Sequence, residues 1–223
     1  MSDIVERYQR NGFTVTISYD PDCPSPREDE SPGARLALFH RKYTFPNDAD
    51  LNPDDYEGWA DMAAHLRSDH DALYLMAVYM IDHSGLAFRT VEPSAGNPFF
   101  EDPGEWDSGI VGFAWIDAKI WADCRGTEWA GSDDQLAEAR KLITSDVEQY
   151  GMYVNGECFS YTITDEFGEQ ADDGCNHGII GYDCVTEEAN MDADHTEHVV
   201  KCNGRLDRVA GTIVHAGPCP LHR

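Results

Sequence analysis

Residues 72–81, ALYLMAVYMI, run without a charge, a glycine or a proline. The run is well short of the ~20 apolar residues that a bilayer span requires. Without alternation, it reads as a β-strand buried on both faces rather than one with a wet side. Such a strand has to be covered from above and below. The four residues that break the run, Asp82, His83, Ser84 and Gly85, suit a turn, and LAFRTVE (86–92) returns as a second strand.

The remaining segments supply the cover. GFTVTISYD alternates Phe13, Val15, Ile17 and Tyr19 against Thr14, Thr16 and Ser18, a half-buried strand. ARLALFHRKY predicts another, with Leu36, Leu38 and His40 on one face, and IVGFAWIDA a third. GECFSYTITDEFGEQADDG reads as a hairpin turning at residues 165–168. NPDDYEGWADMAAHL begins like a helix, with Asn52 as cap and Pro53 in the first turn. DAKIWADCR follows Asp117 as a short helix. GSDDQLAEARKLITSDVEQYG is capped by Ser132, has Asp133 and Asp134 in its first turn, and is expected to stop at Gly151. GYDCVTEEANMDADHTEHV is expected to form a last helix. Strands and helices mix without a βαβ rhythm, which predicts an α+β fold: a mixed, mainly antiparallel sheet, a few flanking helices and a short C-terminal tail. The 223 residues suit one generous domain or one domain with an appendage. Residues 142–200 hold 14 acidic side chains and no Lys or Arg, whereas Lys201, Arg205, Arg208 and Arg223 follow. The expected division is therefore a single domain over 1–190 and a basic, Cys/His-containing tail over 191–223.

Charge narrows the function classes. Asp and Glu number 42 against 16 Lys and Arg, a formal charge of −26. Direct binding of nucleic acid needs a basic patch to displace counterions, so it is not expected. Docking on a basic partner, imitation of nucleic acid, plain solubility and adaptation to salt all fit such a surface. MSDIVERYQR is charged where a secretory leader would be apolar, and no run spans a membrane. The expectation is a soluble cytoplasmic protein whose seven scattered cysteines, lacking any C-x-x-C pair, are reduced thiols.

Several constellations could carry chemistry. In the turn after the apolar run, Asp82 could orient His83 as a base or ligand. Equally, Asp82 and Ser84 could bond the backbone while Gly85 supplies a positive φ. EWDSGIVGF repeats that grammar at Asp107, Ser108 and Gly109, and two such loops could pool Asp82, His83 and Asp107 in a polar pocket. FHRKY gathers His40, Arg41 and Lys42, a conceivable anion site or a set of partners for nearby carboxylates. His40, Asp82, His83 and Asp107 are the catalytic candidates. In the tail, His195, His198, Cys202, Cys219 and His222 have short-spaced pairs separated by a loop, the way small zinc sites are built. Zinc is thus a candidate cofactor, with Cys175 and His177 a second Cys/His pair. No Walker loop, G-x-G-x-x-G, H-E-x-x-H or G-x-S-x-G occurs, against the common nucleotide enzymes, metalloproteases and serine hydrolases.

Taken in order, these pieces resemble a family of uncharacterised bacteriophage and prophage proteins. The matching positions are Ser25, Pro26, Arg27, Gly33, His40, Arg41 and Tyr43. They continue with Asp82, His83, Ser84 and Gly85, then Trp106, Asp107, Ser108, Gly109, Val111 and Gly112, and finally Gly156, Tyr161, Asp173, Cys175 and Gly178. The likeness covers residues 19–189. This chain departs from it with Glu28-Asp29-Glu30 after the S-P-R segment, with Gly174 inside the D-S-C motif, and in the tail after Met191. The resemblance implies a phage source and no particular activity. Together with the charge, it leads to the expectation of an accessory protein in the infected cell's cytoplasm. It would bind and modulate a host or anti-phage defence factor with a basic surface, in one version by nucleic-acid mimicry. A small metal- or ligand-binding enzyme built on the His40/Asp82/His83/Asp107 cluster and a zinc-stabilised structural or virion protein are the alternatives.

Overall fold

The computed structural model describes residues 3–28, 33–201, 204–207 and 212–215. In chain order the elements are β1 (Ile4–Arg10), β2 (Phe13–Tyr19), β3 (Arg35–Leu38), α1 (Trp59–Asp69), β4 (Tyr74–Asp82), β5 (Leu86–Val91), β6 (Ser108–Ile116), α2 (Ala118–Arg125), α3 (Asp133–Val154), β7 (Cys158–Thr164), β8 (Gln170–Ile180), α4 (Tyr182–Lys201), β9 (Gly204–Asp207) and β10 (Thr212–His215). All strand pairing is antiparallel, and the protein is α+β. The chain falls into two compact units, residues 25–155 and residues 1–24 with 156–223.

The unit of residues 25–155 is built on the apolar run. β4 lies inside a sheet of order β3-β6-β4-β5, and period-2 alternation sorts its side chains onto two cores. Met76, Val78 and Met80 join Leu36, Ala114, Ile116 and Phe88 under Ala139, Ile143, Val147 and Tyr150 of α3. Leu75 and Ala77 join Phe113 and Trp115 under Met62, Ala63 and Leu66 of α1. Each fully buried side chain of this kind is worth about 1.5–3 kcal/mol of transfer free energy, so the two faces together hold the unit. A bulge interrupts the β4–β6 register between Val78 and Tyr79. Its pivot is Gly112 at φ +149°, where an added Cβ would lie 1.9 Å from the Ala37 carbonyl oxygen.

Helix starts follow the local chemistry, with one shift. The Asp117 carboxylate accepts from the Ile120 N–H to open α2, and Ser132 accepts from the Gln135 N–H to open α3. Asn52 does cap, but only a single 3-10 turn over Pro53–Asp55; Gly58 at φ +140° redirects the chain and α1 starts at Trp59. Gly151 does not stop α3, which runs on to Val154. A Cβ there would sit 3.3 Å from the Phe88 ring, so the missing side chain serves packing. β3 ends at Leu38, short of His40: the Leu38 N–H donates to the Pro46 carbonyl (2.9 Å), and residues 39–46 fold back on the strand. The expectation that His40 shares a strand face with Leu36 and Leu38 therefore does not apply.

The other unit has the sheet order β1-β2-β7-β8. β1 and β2 are joined by Asn11 and Gly12, both at positive φ (53° and 87°), which gives the twist a two-residue hairpin needs. Phe13, Val15, Ile17, Phe159, Tyr161 and Ile163 face Val185, Ala189 and Ala193 of α4. α4 is continuous through residues 190 and 191, where the body and tail were expected to meet. β9 and β10 pair with each other.

Candidate functional site

In an antiparallel order the C-terminal ends of β3 and β4 and the N-terminal end of β6 lie together. Leu38 pairs with Gly112 and Ile81 with Ser108. The loops carrying His40, Lys42 and Tyr43, then Asp82 and His83, then Asp107 are thereby brought to one end of the sheet. The Asp82 N–H donates to the Asp107 carbonyl at 2.9 Å, tying the second loop to the third. The third loop is organised by Asp102. Its carboxylate accepts from the N–H groups of Trp106 (3.2 Å), Asp107 (3.0 Å) and Ser108 (2.9 Å), and from the Ser108 hydroxyl (2.8 Å). Those donors, the hydroxyl first, hold the Asp102 carboxyl below the usual range.

Two polar pairs stand at this end. Asp82 Oδ2 accepts from Lys42 Nζ at 2.8 Å and from the Tyr43 hydroxyl at 2.9 Å, which pulls its carboxyl below, and the Lys42 ammonium above, their ordinary values. His40 stacks on Tyr43 with ring centroids 5.1 Å apart and adds a favourable charge interaction with Asp82. His83 Nδ1 and Asp107 Oδ2 are 3.3 Å apart. The four catalytic candidates are thus neighbours, in two separate pairings. Their chemistry is limited by surroundings: the His83 and Asp107 side chains are 73% and 52% exposed, so water screens the pair. Asp82 already accepts from a cation and a phenol, which makes it a poor base. The nearby Ser108 hydroxyl donates to Asp102 and accepts from Asn97 (2.7 Å), leaving it no role as a nucleophile. Turn chemistry accounts for the remainder: Ser84 (φ +61°) and Gly85 (φ +146°) close the β4–β5 turn with a His83 N–H to Gly85 carbonyl bond of 3.1 Å.

Cys175 and His177 are both exposed on β8. Of the tail ligands, His195 is exposed on α4; the side chain of His198, and Cys202, Cys219 and His222, lie outside the described residues. Among the described residues no three His, Cys, Asp or Glu side chains are grouped to hold a metal ion. No helix among them is long and apolar enough to cross a membrane.

Two features were not anticipated from the sequence. One is a hydrogen-bonded ion cluster: Arg27 donates to Asp146 and Asp48 (2.7 Å each) and to the Ala34 carbonyl (2.9 Å). The other is a groove of about 520 Å³ between β5 and α3, with Met76, Phe88 and Val147 at its apolar floor and Glu92, Arg140 and Glu148 at its rim.

The charge surplus also acquires a structural form. Within residues 25–155, Arg27, Arg35, Lys42, Arg89, Lys119, Arg125, Arg140 and Lys141 are all paired to carboxylates of the same unit. Exposed Asp54, Asp133, Asp134 and Glu148 there, and Glu166, Asp183 and Glu187 in the other unit, have no ion pair among the described residues. Arg41 and Arg67 are the exposed cations of residues 25–155 in no ion pair among the described residues, so what this surface offers a partner is mainly carboxylate. No family model, no curated protein and no solved structure matches the chain.

Proposed function

We propose that this protein is a phage-encoded acidic accessory protein that binds and modulates a host or anti-phage defence factor through a basic surface on that factor. The observation that carries the reading is the internal pairing of most of the cations: eight of the ten Lys and Arg of residues 25–155 are taken up within the unit, Arg41 and Arg67 excepted, while unpaired carboxylates face solvent. Such a surface raises association rates with a basic partner and repels nucleic acid. In the mimicry version, the carboxylates occupy the partner's nucleic-acid site. The test is affinity capture from host lysate, followed by titration of the purified partner at rising salt and in competition with duplex DNA. Affinity should fall at least about tenfold between 50 and 300 mM salt, as expected when several charges meet across an interface. Salt-independent affinity overturns the electrostatic reading, and failure of DNA to compete removes mimicry.

The 3.3 Å approach of His83 to Asp107 favours one second reading, a small ligand-binding enzyme using His83, Asp107, Asp82 and His40. Its test is the pH titration of His83 by NMR in the presence of candidate anionic and metal ligands. A His83 resonance that no ligand shifts removes it.

A further inference from the structure

We propose that the outer edge of β5 is a docking strand, where a basic, extended segment of the partner protein adds to the sheet and lays alternate side chains in the groove against α3. This rests on the binding reading above and names the surface that performs it. Among the described residues, only one of the two edges of the β3-β6-β4-β5 sheet is closed by the chain itself. Along β3, Ala37 is bridged to Asn47, the Leu38 N–H donates to the Pro46 carbonyl and the Asp48 N–H donates to the Leu36 carbonyl (2.7 Å), so residues 46–48 stand in for a neighbouring strand.

β5 is different. Asn155 bonds the outer side of Leu86: its side-chain oxygen accepts from the Leu86 N–H at 2.9 Å and its amide nitrogen donates to the Leu86 carbonyl. A single side-chain amide thus imitates a partner strand at one residue. Antiparallel ladders turn the backbone groups of every second residue to the same side, so Phe88 and Thr90 present their N–H and C=O groups outward like Leu86. Among the described residues nothing continues the ladder beyond Asn155. An open edge of this kind is a template for strand addition. The side chains of an added strand that pointed toward α3 would enter the groove over Met76, Phe88 and Val147.

Charge selects the occupant. Arg89 is held by Glu101 (2.9 Å) and Arg140 by Glu92, which leaves Glu148 as the unpaired charge of the groove. A second copy of this chain brings another −26 to the same edge and is repelled. A segment alternating Lys or Arg with β-branched residues satisfies the edge and lays its β-branched side chains over the floor, while its cations, on the opposite face of the added strand, answer the chain's overall charge of −26.

The test uses the full chain and two fluorescent peptides of equal charge, one alternating lysine with valine and one alternating lysine with glycine. The Lys–Val peptide should bind more tightly at low salt. On saturation the Phe88 and Thr90 amides should exchange more slowly by hydrogen–deuterium NMR. Thr90→Pro removes the outward N–H at a position where an edge strand tolerates proline, and should weaken the Lys–Val peptide by at least about tenfold. Thr90→Val keeps the N–H, removes only the hydroxyl contact with Thr144 (2.9 Å), and should bind like the parent. Equal binding by Thr90→Pro, or unchanged exchange at Phe88 and Thr90, overturns the docking strand while leaving an acidic binding surface elsewhere. Failure of both peptides to bind at low salt removes the binding reading as well. A dimer with these two amides already protected assigns the edge to a second copy and overturns the proposal. Should Thr90→Pro not fold, the exchange measurement on the parent chain decides.

Discussion

Arg27 Nη1 lies 2.7 Å from Asp146 Oδ2 with the two side chains only 10% and 9% exposed, so the segment that opens residues 25–155 is clamped to the middle of α3 by a nearly dry ion pair. The clamp is completed by the Gly33 N–H, which donates to Asp146 Oδ1 at 3.0 Å; a Cβ at Gly33 would come within 3.2 Å of that oxygen. Burial raises the Asp146 carboxyl above its ordinary value even with the guanidinium beside it. Desolvation therefore takes back much of what the pair gains, and the cluster's contribution lies in fixing one chain path.

Removing one partner should then be far worse than removing both. Arg27→Ala leaves a buried carboxylate alone and should destabilise by about 3–5 kcal/mol, whereas Arg27→Met with Asp146→Leu should recover most of that loss. Urea denaturation of the parent, these two variants and the single Arg27→Met and Asp146→Leu variants measures it, the last two closing the double-mutant cycle. Equal losses in the single and the double variant would mean that shape rather than charge holds the segment.

The loop of residues 97–108 should open in acid. Asp102 is held below its ordinary value in the folded protein, so its contribution is present above the unfolded pKa of about 3.9 and disappears as pH falls through the lower folded value. Amide protection factors of Trp106, Asp107 and Ser108 should stay constant down to pH 4 and fall below it. Asp102→Ala should abolish them at neutral pH, with the cores under α1 and α3 intact.

Legibility from sequence tracks how local each cause is. The 72–81 run declared a two-faced strand because burial on both sides erases alternation, and Asp117 and Ser132 declared helix starts because their oxygens reach an N–H three residues on. β1 escaped because Ile4–Arg10 is mostly exposed and shows no apolar period; the Asn-Gly turn behind it was the available signal. The convergence of the DHSG and WDSG loops was readable as repeated turn grammar. Asp102 was not, since its role depends on how one loop coils, nor was Arg27, whose partner Asp146 lies 119 residues away. The β5 edge follows from strand order, which no local pattern in the chain announces.

Cysteine reactivity should rank by environment. Burial raises the Cys158 thiol to about 12, with the neighbouring Cys23 adding to the shift, so at pH 8 it holds almost no thiolate. Cys175 and Cys184 are exposed. In the folded protein iodoacetamide should label Cys175 and Cys184 first and Cys158 only after denaturation, as peptide mass spectrometry at timed quenches would show. Early labelling of Cys158 would contradict its burial.

Gly112→Ala tests how the fold delivers the polar cluster. The added methyl would meet the Ala37 carbonyl oxygen at 1.9 Å, and φ +149° is a conformation that L side chains rarely adopt. Backbone faces backbone here, so no side chain can swing aside, and β3 has to part from β6 at a cost of more than about 3 kcal/mol. The Phe39 N–H bond to the Val111 carbonyl (2.6 Å) stands beside the bulge and anchors the loop that brings Lys42 and Tyr43 to Asp82. With β3 displaced, Asp82 loses both donors and its carboxyl pKa should rise back toward 3.8. Carboxyl NMR titration reads that return and urea denaturation the lost stability. If Asp82 still titrates low in Gly112→Ala, the loop of residues 39–46 is held in place by something other than the β3–β6 pairing.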